Sequence, residues 1–289
     1  MYKVLAAHDL TARSANALAE AARLASDRDG DLTILHVVDG ALPPQVIEAY
    51  RSHAQSHLAG EARQLLAREP PFCRIEIVAG DPAAAIAAQA EARAVDLVVV
   101  GCHRRRPIAD MFLGTTIERL LRQVHQPVLV VVKADQPAYE RILIPVDFSE
   151  ASTAAIRSAA ALFPKAILHL LHAYKGPFQD YVAALSLTFS RAERAKFAGS
   201  MGEHAEQAMS RLIDRLGLSP DRTIVTVRNG DAAMLIQEEL DRKETDLLAL
   251  GTHARSGIAR ALIGSVAETA LESSRCNVLV VPMPGDPQA

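Results

Sequence analysis

The chain is written twice, and this internal repeat limits the fold more than any other feature. "YKVLAAHDLTARSANALAEAARL" near the start aligns with "ERILIPVDFSEASTAAIRSAAAL" in the second half, setting Asp9 opposite Asp147 and Ser14 opposite Ser152. "LTILHVVD" matches "LHLLHAYK", which pairs His36 with His172. "AGDPAAAI" matches "NGDAAMLI", "DLVVVGCH" matches "DLLALGTH", and "QPVLVVV" matches "CNVLVVP". The offset is 150 residues from Gly101 to Gly251 and from Gly114 to Gly264, but only 138 from Asp9 to Asp147. The second copy therefore carries extra residues between its second and third strands. At 289 residues there is room for two domains of about 145. The polar, proline-containing bridge "KADQPAYE" sets their expected boundaries at 1–133 and 140–285.

Each copy alternates short β-branched runs with long Ala-rich stretches of helical period. In the second copy the pattern predicts strands at 142–146, 166–172, 223–227, 247–250 and 278–281. Helices are predicted near 150–162, 190–216, 231–242 and 264–273. Runs such as "LVVV" and "VLVVV" are apolar at every position, as befits strands covered on both faces. Strand–helix alternation of this kind predicts an α/β fold, a parallel sheet with right-handed crossovers. Ligands of such sheets sit at the carboxyl ends of the strands, so the residues just after each strand carry the functional question.

Composition narrows the partners. A net charge of −3 and a pI near 6.4 give no reason to expect nucleic acid or an acidic membrane. Cys73, Cys102 and Cys276 are too few and too scattered for a disulfide framework or a Cys-based zinc site. The start "MYKVLAAHDL" has no apolar core of signal-peptide length and no apolar run approaches the length of a membrane span, which predicts a cytoplasmic protein.

The stretch "DLLALGTHARSGIARALIGSVAE" runs from a strand through a glycine-punctuated loop into a helix. Backbone N–H groups converging at a helix N-terminus hold a phosphate well, and glycines let the backbone come close. The plainer reading is that the glycines turn the chain while Ser265 with Glu268 forms a capping box, as Thr115 with Glu118 does in the first copy.

These blocks, in order, resemble the universal stress protein family. They are "ILIPVDFSEAS", "LLHAY", "NGD", "DLLALGTHARSGIARALIGSVAE" and "NVLVVP", echoed in the first copy by "VLAAHDLTARS", "ILHVVD", "AGDPAAAI", "GCH", "LGTTIE" and "PVLVVV". The resemblance spans nearly the whole chain and implies a tandem protein. In each half it implies a doubly wound five-stranded parallel sheet, order 3-2-1-4-5, with helices on both faces. It further implies that the last strands of the two domains pair edge to edge in a pseudo-dimer, and that chains associate as homodimers.

Nucleotide-binding members of that family carry Gly-x2-Gly-x9-Gly-Ser/Thr in this loop. In the second copy the matching positions are Gly251, Ala254, Gly264 and Ser265, followed by Val266. In the first they are Gly101, Arg104, Gly114 and Thr115, and Pro107 stands where the second copy has Gly257. Asp147, in "PVD" after Pro145, matches the acid that faces the nucleoside; Asp9, in "AHD", matches it without the proline. Ala173 and Val37 fall where the adenine edge is read. If position 254 needs a positive φ, its methyl costs on the order of 1 kcal/mol. Arginine with proline changes both the shape and the donor count of the first loop. The second copy is thus the expected site for ATP with Mg²⁺, and the first a degenerate one.

Repetition argues that His36 and His172 share a structural task, such as a hydrogen bond to a loop carbonyl; His253, opposite His103, could also touch a ligand. His53 and His57 can share a helix face, where surface histidines are the expected reading and zinc the remote one. Asp81 and Asp231 read as helix N-caps. "GSV" lacks a nucleophile elbow and no acid/base pair stands out, so no enzyme is expected beyond slow ATP hydrolysis. Residues 190–216 form an amphipathic helix, preceded by the apolar "YVAALSLTF", which could be a lid, a contact between chains or part of the core. The reading is a stress-linked binding or regulatory module. Its rivals are a nucleotide-free tandem protein working through dimerisation and partner surfaces, or a cleft reused for another small molecule or zinc.

Overall fold

The computed structural model describes residues 1–66, 73–102, 115–133, 138–174, 191–242, 244–254, 261–262 and 276–283. In the first copy the elements are β1 (Lys3–Ala7), α1 (Ala12–Ser26), β2 (Asp31–Asp39), α2 (Pro44–Leu65), β3 (Cys73–Gly80) and α3 (Pro82–Ala92). They continue with β4 (Leu97–Gly101), α4 (Thr115–Leu121) and β5 (Val128–Val131). The second copy supplies β6 (Arg141–Pro145), α5 (Glu150–Leu162), β7 (Ile167–Tyr174), α6 (Arg191–Leu216), β8 (Thr223–Asn229) and α7 (Ala232–Asp241). It ends with β9 (Leu247–Gly251), the two-residue strands β10 (His253–Ala254) and β11 (Ala261–Leu262), and β12 (Asn277–Val281). The strand and helix spans predicted for the second copy coincide with these to within two residues; the helix predicted at 264–273 lies outside the described residues.

Two compact units emerge. The first comprises Met1–Pro137 with Thr252–Leu262 and Arg275–Ala289; the second comprises Ala138–Gly251 with Ile263–Ser274. In the first unit the strands are parallel in the order β3-β2-β1-β4-β5, and β12 then joins β5 antiparallel, with Val278 opposite Val130 and Val280 opposite Val128. The fifth strands of the two sequence copies are thus edge partners. In the second unit the parallel order is β9-β6-β7-β8.

Why these segments become central strands is visible in their burial. Successive strand residues point to opposite faces, yet Val4, Leu5 and Ala6 are each at most 1% exposed, so helices cover both sides. Each such Leu or Val contributes roughly 1.5–3 kcal/mol on leaving water. The helices follow the complementary rule. On α1, Ser14, Ala17, Leu18, Ala21, Leu24 and Ala25 recur at helical spacing and are buried. On α6, Ala205, Met209 and Leu212 are buried as the pattern predicts. The apolar stretch before α6 falls on 175–190, outside the described residues.

Helix starts obey capping chemistry. Asp81 Oδ1 accepts from the Ala84 N–H at 3.1 Å with Pro82 in the first turn, and Asp231 Oδ1 accepts from Ala233 and Met234. The N-cap roles expected of both residues are present.

Candidate functional site

Equivalent loops follow β1 and β6. The His8 N–H donates to Leu35 O and the Val146 N–H to Leu171 O, each at 2.8 Å, carrying the strand hydrogen-bonding one residue past the ladder. The chain then turns sharply at Leu10 and Phe148, both with φ of 62°. Leucine and phenylalanine pay strain there, so other contacts must hold the turn. An aspartate supplies them in each copy. Asp9 Oδ1 accepts from the Thr11 N–H at 3.1 Å and from the Thr11 and Ser14 hydroxyls at 2.6 Å. Asp147 Oδ1 accepts from the Ser149 N–H at 3.0 Å and from the Ser149 hydroxyl. Both aspartates are exposed at the carboxyl end of a central strand.

The second strand braces the turn. His36 Nδ1–H donates to His8 O at 2.7 Å, and His172 Nδ1–H to Val146 O at 2.6 Å, the carbonyl bond that repetition had suggested. A carbonyl only accepts, which fixes each Nδ1 as protonated. Phe148 also lays its ring against His172, centroids 4.5 Å apart. Pro145, Ala173 and Val37 are half-buried at these same strand ends.

The strand-end glycines have a near cause. A Cβ on Gly251 would stand 2.1 Å from Ala151 O and 2.3 Å from its carbonyl carbon; on Gly101 it would stand 2.8 Å from Arg13 O. The first turns of α5 and α1 lie directly on these residues, so close helix–strand packing alone demands glycine. Ala254, within β10, pairs antiparallel with Ala261. That backbone is extended, so the strain considered for a positive φ at 254 does not arise. His253 pairs with Leu262, and Thr115 opens α4. Arg104, Gly114, Gly264, Ser265 and Val266 lie outside the described residues, as does His103.

One residue escaped the sequence reading. His8 stands where the second copy has Val146, and its side chain is fully buried. Its Nδ1 accepts from the Leu10 N–H at 3.0 Å, so the ring hydrogen is on Nε2. Nε2 lies 3.0 Å from Glu61 Oε2 on α2, but out of line for a hydrogen bond, and both atoms are buried without another such partner. Glu61 Oε1 is 3.6 Å from His57 Nε2. The histidine in "AHD" and the 53-residue separation from Glu61 gave no periodic signal. With hydrogen on Nε2 the ring presents no lone pair to a metal there. Among the described residues no group of three or more His, Cys, Asp or Glu side chains is placed to hold one. His53 and His57 are exposed on α2.

Burial pushes the His8 ring down to about 4, helped by His36 and His57 and opposed by Asp9. The nearby Glu61 carboxylate favours the imidazolium, whereas a protonated ring would turn an N–H against that of Leu10. Above pH 6.5 the ring is neutral in folded and unfolded chains alike. Between about 6.5 and 4 only the unfolded chain takes the proton, so stability should fall as pH drops through that window and level off below it. The total is on the order of 3 kcal/mol. Urea midpoints at successive pH values should show this slope, and His8→Val should flatten it.

The sequence matches the universal stress protein family over residues 1–132 and again over 138–282. The chain belongs to that family. Universal stress protein Rv2623 of Mycobacterium tuberculosis is 29% identical over 286 residues, covering 90% of this chain and 89% of its own length. A universal stress protein of Mycolicibacterium smegmatis is 25% identical over 97% of both chains. Among solved structures, a universal stress protein from Archaeoglobus fulgidus covers 97% of this chain with a TM-score of 0.71 at 18% identity, a likeness of fold. The tandem universal stress architecture therefore extends along the chain. Among the described residues no helix is long and apolar enough to cross a membrane.

Proposed function

We propose that the second copy binds an adenine nucleotide, ATP with Mg²⁺, and that the chain works in the cytoplasm as a stress-linked binding or regulatory module. The observation carrying this reading is the exposed Asp147 carboxylate, fixed by Ser149 at the end of β6 beside β7 and its Ala173. Strand ends of this kind are where parallel sheets receive ligands. In this reading Asp147 accepts from the nucleoside hydroxyls and Ala173 borders the base. Gly264 and Ser265 retain the residue types that meet phosphate, with N–H groups and a hydroxyl. Gly251 acts indirectly, by seating α5 against the strand. Magnesium would neutralise phosphate charge.

The first copy keeps Asp9 and Gly101, but Arg104 and Pro107 replace the small residues its loop would need. It is proposed to stay empty of nucleotide. No residue is assigned to orient an attacking water, so the role is binding rather than turnover.

Native mass spectrometry of the intact chain, titrated with ATP–Mg²⁺, tests the reading. One ATP per chain is expected, weakened at least tenfold by Asp147→Ala, in line with loss of a hydrogen bond to a charged group. Two per chain would reject the emptiness of the first copy. None at millimolar ATP would reject nucleotide binding and favour action through partner surfaces.

A further inference from the structure

We propose that His8 is an acid-operated latch on the cleft loop of the first copy: a proton taken at Nδ1 breaks the Leu10 bond and releases the Leu10 amide at the apex of the turn. This inference stands apart from the nucleotide reading, since it concerns the loop and not its ligand.

Three observations meet at this ring. The Leu10 N–H donates into Nδ1 at 3.0 Å, a bond that only the neutral ring can accept. Leu10 holds a left-handed backbone that leucine adopts reluctantly, with φ of 62°. Loss of its acceptor therefore removes a restraint from an already strained residue. On the far side of the ring, Nε2 and Glu61 Oε2 sit 3.0 Å apart, buried and misaligned. The imidazolium would be repelled by the Leu10 N–H and drawn to the Glu61 carboxylate beside Nε2. Protonation thus removes the Leu10 bond and adds a charge attraction between the ring and Glu61.

The groups facing the ring are Asp9 within the loop, His36 from β2, and His57 and Glu61 from α2. Asp9 and Glu61 favour the proton; His36, His57 and burial oppose it. Burial prevails, which keeps the latch shut through neutral pH and opens it near pH 4. The bond is one proton in, with no other reactant. Asp9 directly precedes Leu10, so the released amide lies next to the acid that marks the first cleft.

The second copy provides an internal control. Phe148 repeats the backbone of Leu10 at the same φ, but Val146 stands at the position of His8 and carries no titratable group. Only one of two equivalent loops should respond to acid.

Amide exchange read by two-dimensional NMR on the intact chain, corrected for the intrinsic effect of pH, tests this. About one ring in a hundred is protonated two pH units above the titration point and half at it, so Leu10 exchange should rise roughly fifty-fold from pH 6 to 4. Phe148 exchange should hold. His8→Asn, whose carbonyl oxygen can accept from Leu10 without titrating, should abolish the rise. The His8 Cε1–H resonance of the unaltered chain should move in step with Leu10, which keeps the test independent of how the variant folds. Constant Leu10 protection, an equal rise at Phe148, or a His8 resonance that titrates near 6.5 would overturn the latch.

Discussion

Gly251→Ala is expected to cost about 4 kcal/mol or more, a large loss for a single methyl group. The added carbon would lie 2.1 Å from Ala151 O and 3.0 Å from its Cα, and both are backbone atoms in the first turn of α5. No rotamer relieves such a contact; α5 must lift from β9, exposing the face that buries Ala151, Ala155 and Ile156. Ordinary overpacking costs 1–3 kcal/mol because side chains move aside. The first copy supplies a graded comparison, since Gly101→Ala meets Arg13 O at 2.8 Å and should cost about 1–3 kcal/mol. Urea unfolding of both variants checks the order. Equal losses would mean that helix approach does not set the demand for glycine.

This comparison bears on how a nucleotide motif is read. A glycine ending a strand satisfies the spacing of a phosphate loop and the packing of the adjacent helix alike. Spacing alone does not separate the two, because the colliding atoms lie 100 residues earlier, in Ala151. Losing nucleotide on changing Gly251 would therefore report on α5 as much as on phosphate. Asp147 is the nearer probe: it is exposed and outside the strand core, and its change touches the turn at Phe148.

Where the sequence was informative, it was so through repetition and period. Apolar runs without polar interruption foretold strands buried on both faces, and two copies of "GD" foretold the caps at Asp81 and Asp231. His36 and His172, recurring at equivalent strand ends, foretold a shared structural bond. What broke the repeat stayed hidden. His8 has no counterpart in the second copy, and Glu61 approaches it only because α2 packs beside the strand ends. Features found in one copy leave no periodic trace, and their meaning depends on distances that only the fold provides.

Asn277 is the other such departure, and it leads to the second large effect. Its side chain is fully buried, and Oδ1 accepts from the Val132 N–H at 2.9 Å and the Lys133 N–H at 3.0 Å, just beyond the last residue of β5. The ladder between β12 and β5 pairs Val128 to Val130 with Val278 to Val280, so the amide extends this short antiparallel contact by two more hydrogen bonds. Pro127 occupies the equivalent position in the first copy and has no amide to offer. The first copy therefore has no side-chain amide at the matching position. Asn277→Ala removes both bonds and leaves a void, a loss of about 2–4 kcal/mol. Because the contact is local, its removal should speed amide exchange along β5 and β12 while β1 and β2 stay protected. Uniform acceleration across the sheet would show instead that β5 and β12 open only when the whole unit unfolds. Selective acceleration would make Asn277 the residue that fastens the two fifth strands, and would explain why an apolar strand begins with a buried amide.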